Sequence, residues 1–142
     1  MVGDVTDGYE QLIRGAGLRV TAGRVAVLRT LDTRPHSDAD AIHRIVAGEL
    51  ENTSIQSVHN ILGDLAGTGL IRRIVPAGSS ARYERRVDDN HHHLVCTECG
   101  AVSDVDCVVG AAPCLTPADT GGFAVATAEV TFWGLCPRCQ AA

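Results

Sequence analysis

Apolar positions recur at helical spacing three times in the first half of the chain. After a short, weakly helical stretch with Leu12 and Ile13 (residues 8–16), Val25, Leu28 and Leu31, widened by Val27, mark a helix that Thr21 can cap. Arg34, Pro35 and His36 interrupt it. Ser37 or Asp38 then opens a second helix, with Ala39, Ile42, Ile45, Val46 and Leu50 along one face. Ser54 opens a third, in which Ile55, Val58, Ile61, Leu62 and Leu65 are expected to face inward, and Gly67 and Gly69 close it. The pattern then changes. Residues 70–75 and 82–87 read as two strands around the turn at 76–80, carrying Arg72, Arg73, Arg82, Arg85 and Arg86. Three helices followed by a basic hairpin predict a winged helix-turn-helix, in which one helix enters the DNA major groove and the wing meets backbone phosphates.

The outward face of the third helix fits that reading. Gln56, Ser57, His59 and Asn60 are small or neutral hydrogen-bonding side chains near its start, suited to base edges, where a solvated face would carry Glu and Lys. Arg19, Thr21 and Arg24 at the start of the first strong helix, and Arg82 on the wing, complete the candidate DNA contacts.

From residue 87 the character changes. Asp88, Asp89 and Asn90 form an acidic, turn-prone joint, which divides the chain into domains at 1–87 and 88–142. Strands are expected at 93–96, 101–105 and 123–133, with a Gly/Ala/Pro-rich segment at 107–120. The net charge of −5 argues against a nucleic-acid partner only as an average. Residues 1–86 hold 11 Arg against 10 Asp and Glu, net +1, whereas residues 87–142 hold 1 Arg against 7 acidic residues, net −6. No apolar run approaches the ~18 residues of a membrane span, and the acidic N-terminus is unlike a signal peptide, so a cytoplasmic protein is expected. In a reducing compartment, six cysteines read as metal ligands or redox thiols before a disulfide framework.

The densest chemistry is His91 to Gly100, HHHLVCTECG. A Cys-x-x-Cys pair at Cys96 and Cys99 is answered by a second at Cys136 and Cys139, with 36 residues between the knuckles. That gap exceeds the ~15–20 residues of a simple zinc ribbon, so a loop and a strand must be housed within it. Four thiolates suit tetrahedral Zn(II) and leave no open position for catalysis, so this site reads as structural. On a strand, alternation puts His91 and His93 on one face and His92 on the other, and Asp104 on the next strand could reach the pair. Imidazoles with carboxylates suit Fe(II), Mn(II) or Zn(II). His36, in a helix break, and Glu84, near the end of the wing, are further donors that spacing alone does not assign. Cys107 and Cys114 are either a redox pair or two small buried residues. A zinc deaminase is disfavoured, because the positions two after His91 and His93 hold His93 and Val95, leaving no catalytic glutamate, and Pro137 lies inside the second knuckle.

GLRVTAGRVAVL, HSDADAIH, SIQSVHNILGDLAGTGLIRR, ARYE, HHHLVCTECG and WGLCPRC together resemble, in order, the ferric uptake regulator family of metal-responsive transcription factors, over roughly Tyr9 to Cys139. The resemblance implies an α+β chain: an N-terminal winged helix-turn-helix domain, then a small α/β dimerisation domain with a four-cysteine zinc site at Cys96, Cys99, Cys136 and Cys139. It implies a regulatory ion, Fe(II) or Mn(II), held by His36, Glu84, His91, His93 and Asp104, and a homodimer that represses from a palindromic double-stranded operator. It implies no enzymatic activity. Aspartate at position 104 looks like the peroxide-sensing branch, in which Fe(II)-catalysed histidine oxidation releases DNA, and DVDCVVGAAPCLTP looks like members controlling catalase-peroxidase genes. An iron- or zinc-uptake repressor without peroxide sensing is the alternative. His59 replaces a tyrosine common on the reading helix, and Thr127 and Ala128 replace the histidine of a third metal site, so no third site is expected.

Overall fold

The structure, a computed structural model, describes residues 5–85, 91–106, 119, 121–124 and 131–141; Val5, Thr6, His91 and Asp106 are described by their backbone alone. The chain divides into two compact units, Met1–Val87 and Asp88–Ala142.

Among its described residues the first unit contains four helices: α1 (Val5–Gly15), α2 (Ala22–Thr33), α3 (Ala39–Glu49) and α4 (Ile55–Gly67). Three of their starts follow from side-chain caps. Thr21, Asp38 and Ser54 accept from the backbone N–H three residues on, at 3.2, 2.9 and 3.0 Å, satisfying donors that the helix leaves unpaired. Asp38 thus settles the choice between Ser37 and Asp38. At the end of α4, Gly69 takes φ +82°, and the N–H groups of Gly69 and Leu70 turn back to the carbonyls of Ala66 and Leu65, a stop that an L side chain would strain.

The helices enclose one core of Ile13, Val27, Leu28, Leu31, Ile42, Val46, Val58, Leu62 and Leu65, with Ile71 and Tyr83 from the wing. Ile61 is half-buried against it, as expected from its place on the stripe. Ile55, expected inward, is 37% exposed, because it sits in the first turn of α4 where the buried stripe runs out into the polar face.

The wing has three strands, where the sequence pattern gave two. β2 (Arg72–Ile74) and β3 (Arg82–Glu84) form the hairpin, and β1 (Ser37–Asp38), formed at the helix break, adds antiparallel to β3 in the order β1-β3-β2. The residue entering β1 is His36, at φ +65°, a left-handed conformation unusual for a residue with a side chain. Its N–H donates to the Tyr83 carbonyl at 2.9 Å.

The second unit holds β4 (His91–Cys96), β5 (Val102–Asp106), β6 (Thr131–Gly134) and a short α5 (Pro137–Gln140). Its sheet has the order β5-β4-β6, with β5 antiparallel and β6 parallel to β4. Of the strand expected at 123–133, residues 131–133 fall in β6, Phe123 and Ala124 lie outside any strand, and 125–130, including Thr127 and Ala128, fall outside the described residues. Cys107 and Cys114 also fall outside them. Among the described residues, no helix is long and apolar enough to cross a membrane.

Candidate metal centres

The parallel pairing of β4 with β6 sets Cys96 opposite Gly134, which carries the second Cys-x-x-Cys knuckle to the side of the first. In the first knuckle the chain reverses after Cys96: the Gly100 N–H donates to the Cys96 carbonyl at 3.0 Å, with Gly100 at φ +76°, and the Cys96 N–H donates to the Ala101 carbonyl. In the second, Cys136 precedes α5, whose first position is Pro137, and Gln140 N–H closes onto the Cys136 carbonyl at 3.0 Å. One sulfur from each of Cys96, Cys99, Cys136 and Cys139 lies within 4.8 Å of the other three.

The donor set passes a metric test for zinc. A tetrahedron with Zn–S bonds of about 2.3 Å has sulfur–sulfur edges of about 3.8 Å. The Cys99 and Cys136 sulfurs are 3.7 Å apart. Backbone N–H groups of Cys99 and Cys136 point at Cys96 Sγ, at 3.5 and 3.4 Å, and in that order of importance they lower its pKa to about 6. Cys136 is also lowered, chiefly by the Cys139 amide. Cys139 is pushed up to about 12, first by its hydrogen bond with Cys136 and then by that with Cys96. Four sulfurs this close hold thiolate on some positions by keeping protons on others; a dication removes that conflict. The cluster therefore fits a structural zinc.

Among the described residues, each unit forms a histidine–carboxylate pair. In the first, His36 Nε2 lies 3.0 Å from Glu84 Oε2, and the two are 7% and 1% exposed. Both belong to the wing sheet: His36 leads into β1 and Glu84 ends β3. A carboxylate so buried requires a strong partner, because desolvation penalises its charge. In the second unit, the antiparallel register pairs His93 with Asp104 across β4 and β5, Nε2 to Oδ1 at 3.4 Å. His92, one position earlier and therefore on the other face, is buried edge-to-face against Phe132, with ring centroids 6.3 Å apart. His91 is placed on β4 by its backbone, opposite Asp106; its side chain falls outside what is described.

The candidate DNA-facing residues divide into two groups. Gln56, His59 and Asn60 are exposed on α4, with Gln56 Nε2 donating to Asn60 Oδ1 at 3.0 Å, while Ser57 Oγ donates back to the Ser54 carbonyl. Arg19 and Thr21 are also exposed. Arg24 and Arg82 are instead engaged by the fold. Arg24 bridges to Asp64 at 2.9 Å and to the Arg19 carbonyl at 2.5 Å, and Arg82 donates to Ser79 Oγ and to the His36 carbonyl, each at 3.3 Å. Arg85, read from sequence as a wing charge, pairs with Asp32 at 2.7 Å and lies over the Tyr9 ring, 5.4 Å from its centroid. No periodic signal marks a contact between residues 23 or 53 positions apart, as in Tyr9–Asp32 and Asp32–Arg85, so sequence reading missed this cluster.

A winged three-helix reader followed by a small α/β unit with a four-cysteine cluster defines a class of metal-linked transcription regulators. The chain belongs to the ferric uptake regulator family, whose model matches residues 15–131. It is 52% identical over 132 residues to the transcriptional regulator FurA of Mycobacterium tuberculosis, covering 93% of this chain and 90% of that protein. It is also 52% identical to ferric uptake regulation protein 1 of Mycolicibacterium fortuitum over 125 residues, 88% of this chain and 78% of that one. The peroxide-responsive repressor PerR of Staphylococcus aureus stands further off, 28% identical over 134 residues, 90% of this chain and 86% of PerR. Among solved structures, the Helicobacter pylori ferric uptake regulator, with three functional metal binding sites, shares the fold at a TM-score of 0.72 and 22% identity, covering 98% of this chain and 96% of that one.

Proposed function

We propose that this chain is an iron-responsive transcriptional repressor that binds a palindromic operator as a homodimer when a regulatory Fe(II) or Mn(II) is held by His36, Glu84, His91, His93 and Asp104. The observation that carries the reading is the pair of imidazole–carboxylate contacts, His36–Glu84 in the reading unit with both residues buried, and His93–Asp104 in the other, a buried imidazole against a half-buried carboxylate. Nitrogen and oxygen donors without thiolate suit Fe(II) and Mn(II), whereas Cys96, Cys99, Cys136 and Cys139 suit a permanent zinc. The bound ion supplies coordination that favours one arrangement of its donors.

The rest of the mechanism belongs to the chain. His36 leads into β1 and Glu84 ends β3 of the wing sheet, so whatever fixes them fixes the wing, which shares one core with α4 through Tyr83, Val58, Leu62 and Leu65. Once tied to His91, His93 and Asp104, they hold the two reading helices of a dimer at the spacing of one DNA turn, about 34 Å or a multiple. The shift toward that arrangement is limited by the difference in metal affinity between the competent and incompetent states. Gln56, Ser57, His59 and Asn60 then meet base edges.

The ferric-uptake reading is supported over peroxide sensing by the 52% identity to a ferric uptake regulation protein against 28% to a peroxide-responsive repressor. Peroxide response stays as the second reading on one observation, the aspartate facing His93. In it, Fe(II) held by His36, Glu84, His91, His93 and Asp104 would supply the redox chemistry by which hydrogen peroxide gives one oxygen atom to the ring of His36 or His91 and leaves as water, and the loss of that donor would free the DNA at stress genes. Operator binding titrated with Fe(II), Mn(II) and Zn(II), each with and without peroxide, tests both. Binding that needs Fe(II) or Mn(II) and survives peroxide supports the iron repressor. Loss of binding with one oxygen atom added to His36 or His91 supports the sensor, and DNA binding indifferent to all three metals defeats both.

A further inference from the structure

We propose that Arg82 is a positioning residue for the regulatory metal site, clamping the His36 backbone so that the imidazole faces Glu84. The inference rests on the reading of His36 and Glu84 as metal donors and gives Arg82 a role other than DNA contact.

His36 is in an unusual position. It carries a side chain at φ +65°, immediately before the two-residue edge strand β1. So short a strand has little pairing of its own, and an edge strand is held only from one side. The His36 N–H is satisfied by the Tyr83 carbonyl at 2.9 Å, and the His36 carbonyl is satisfied by Arg82 Nη1 at 3.3 Å. Both peptide groups of the kinked residue are therefore gripped by β3, and the side chain of the same residue meets Glu84, the third residue of β3, at 3.0 Å. Successive residues of one strand hold the carbonyl, the amide and the imidazole of His36.

The guanidinium is itself braced. Arg82 Nε donates to Ser79 Oγ at 3.3 Å in the wing turn, and Arg82 pairs across the sheet with Asp38, whose Oδ2 accepts from Ser80 Oγ at 3.2 Å. The planar fork of arginine can reach a carbonyl and a hydroxyl at once; the point charge of lysine cannot reproduce that geometry. The wing turn, the cap of α3 and the first metal donor are thereby joined through one side chain. A partner that fixes a ligating histidine is worth about 10–100-fold in metal affinity.

The test compares the wild type with Arg82→Ala, Arg82→Lys and His36→Ala, as zinc-loaded full-length protein, in two measurements. Mn(II) affinity is read by titration, and amide hydrogen exchange at His36 is read without Mn(II). The proposal expects Mn(II) affinity to fall about tenfold or more in both Arg82 variants, His36 exchange to quicken in both, and operator affinity at saturating Mn(II) to return close to wild type. Unchanged Mn(II) affinity and His36 exchange, with operator affinity reduced at every Mn(II) concentration and a shallower salt dependence, would make Arg82 a phosphate contact and overturn it. Unchanged Mn(II) affinity in His36→Ala would instead remove the donor reading beneath it, a result distinct from failure of the clamp.

Discussion

His93 and Asp104 face each other in register across β4 and β5, with Nε2 3.4 Å from Oδ1. The pairing turns a sequence separation of eleven residues into one imidazole–carboxylate contact, because the antiparallel ladder fixes which side chains share a face.

Asp104→Asn keeps the shape and removes the charge. Its expected outcome is Mn(II) or Fe(II) affinity lowered by about tenfold or more, with the four-cysteine zinc still bound one to one and thermal unfolding nearly unchanged. Titration calorimetry together with metal analysis reads both.

Zinc uptake by the reduced, metal-free protein should release protons in a pH-dependent number. Cys96, held at about 6, is already thiolate near neutrality, while Cys139, pushed up to about 12, still carries its proton. Fewer than four protons per zinc are therefore expected at about pH 7.5, rising toward four as pH falls through about 6. Weakly buffered titration with a pH indicator gives the count.

The sign of the same two shifts sets the stability of the metal-free second unit. The lowered Cys96 contributes stability above its unfolded value of 9.0 that is lost as pH falls through about 6, and the raised Cys139 contributes stability below 9.0 that is lost as pH rises through about 12. Denaturant melts of the zinc-free protein should accordingly show a folded fraction that declines toward both extremes, and zinc should flatten the profile.

Asp38→Ala removes the cap of α3 and the acceptor of Ser80. A loss of about 1 kcal/mol is expected near neutral pH. Because the folded carboxyl lies below its ordinary value of 3.8, held there first by the Ala41 amide, its contribution is complete above 3.8 and vanishes as pH falls through the folded value. Urea midpoints of the two proteins should converge in acid; a constant gap would sink this reading.

Gln56→Ala and Asn60→Ala lie on the exposed start of α4. Each is expected to cost about 1–3 kcal/mol of operator binding and to relax base preference at one position, without a change in melting temperature. Leu62→Ala, at 0% exposure on the opposite face, should cost about 3 kcal/mol of folding stability. The three variants separate the exposed polar face from the core face on a single helix.

What the sequence determined was local. Val58, Leu62 and Leu65 mark the buried stripe of α4, Ser54 its cap and Gly69 its stop, since each acts through neighbours within a turn or two. Two Cys-x-x-Cys knuckles and the alternation of His92 with His93 were legible for the same reason. Tertiary structure decided everything that depends on register between distant segments. It added β1 to the wing and turned His36 into a kinked entry to it. It laid β6 parallel to β4 so that Cys136 meets Cys99, and it turned Arg24, Arg82 and Arg85 from free positive charges into the partners of Asp64, His36 and Asp32. An arginine reads the same in sequence whether it meets phosphate or a carbonyl. Only the folded backbone fixes which acceptor lies within reach, because hydrogen bonds are decided over tenths of an ångström and sequence spacing over whole residues.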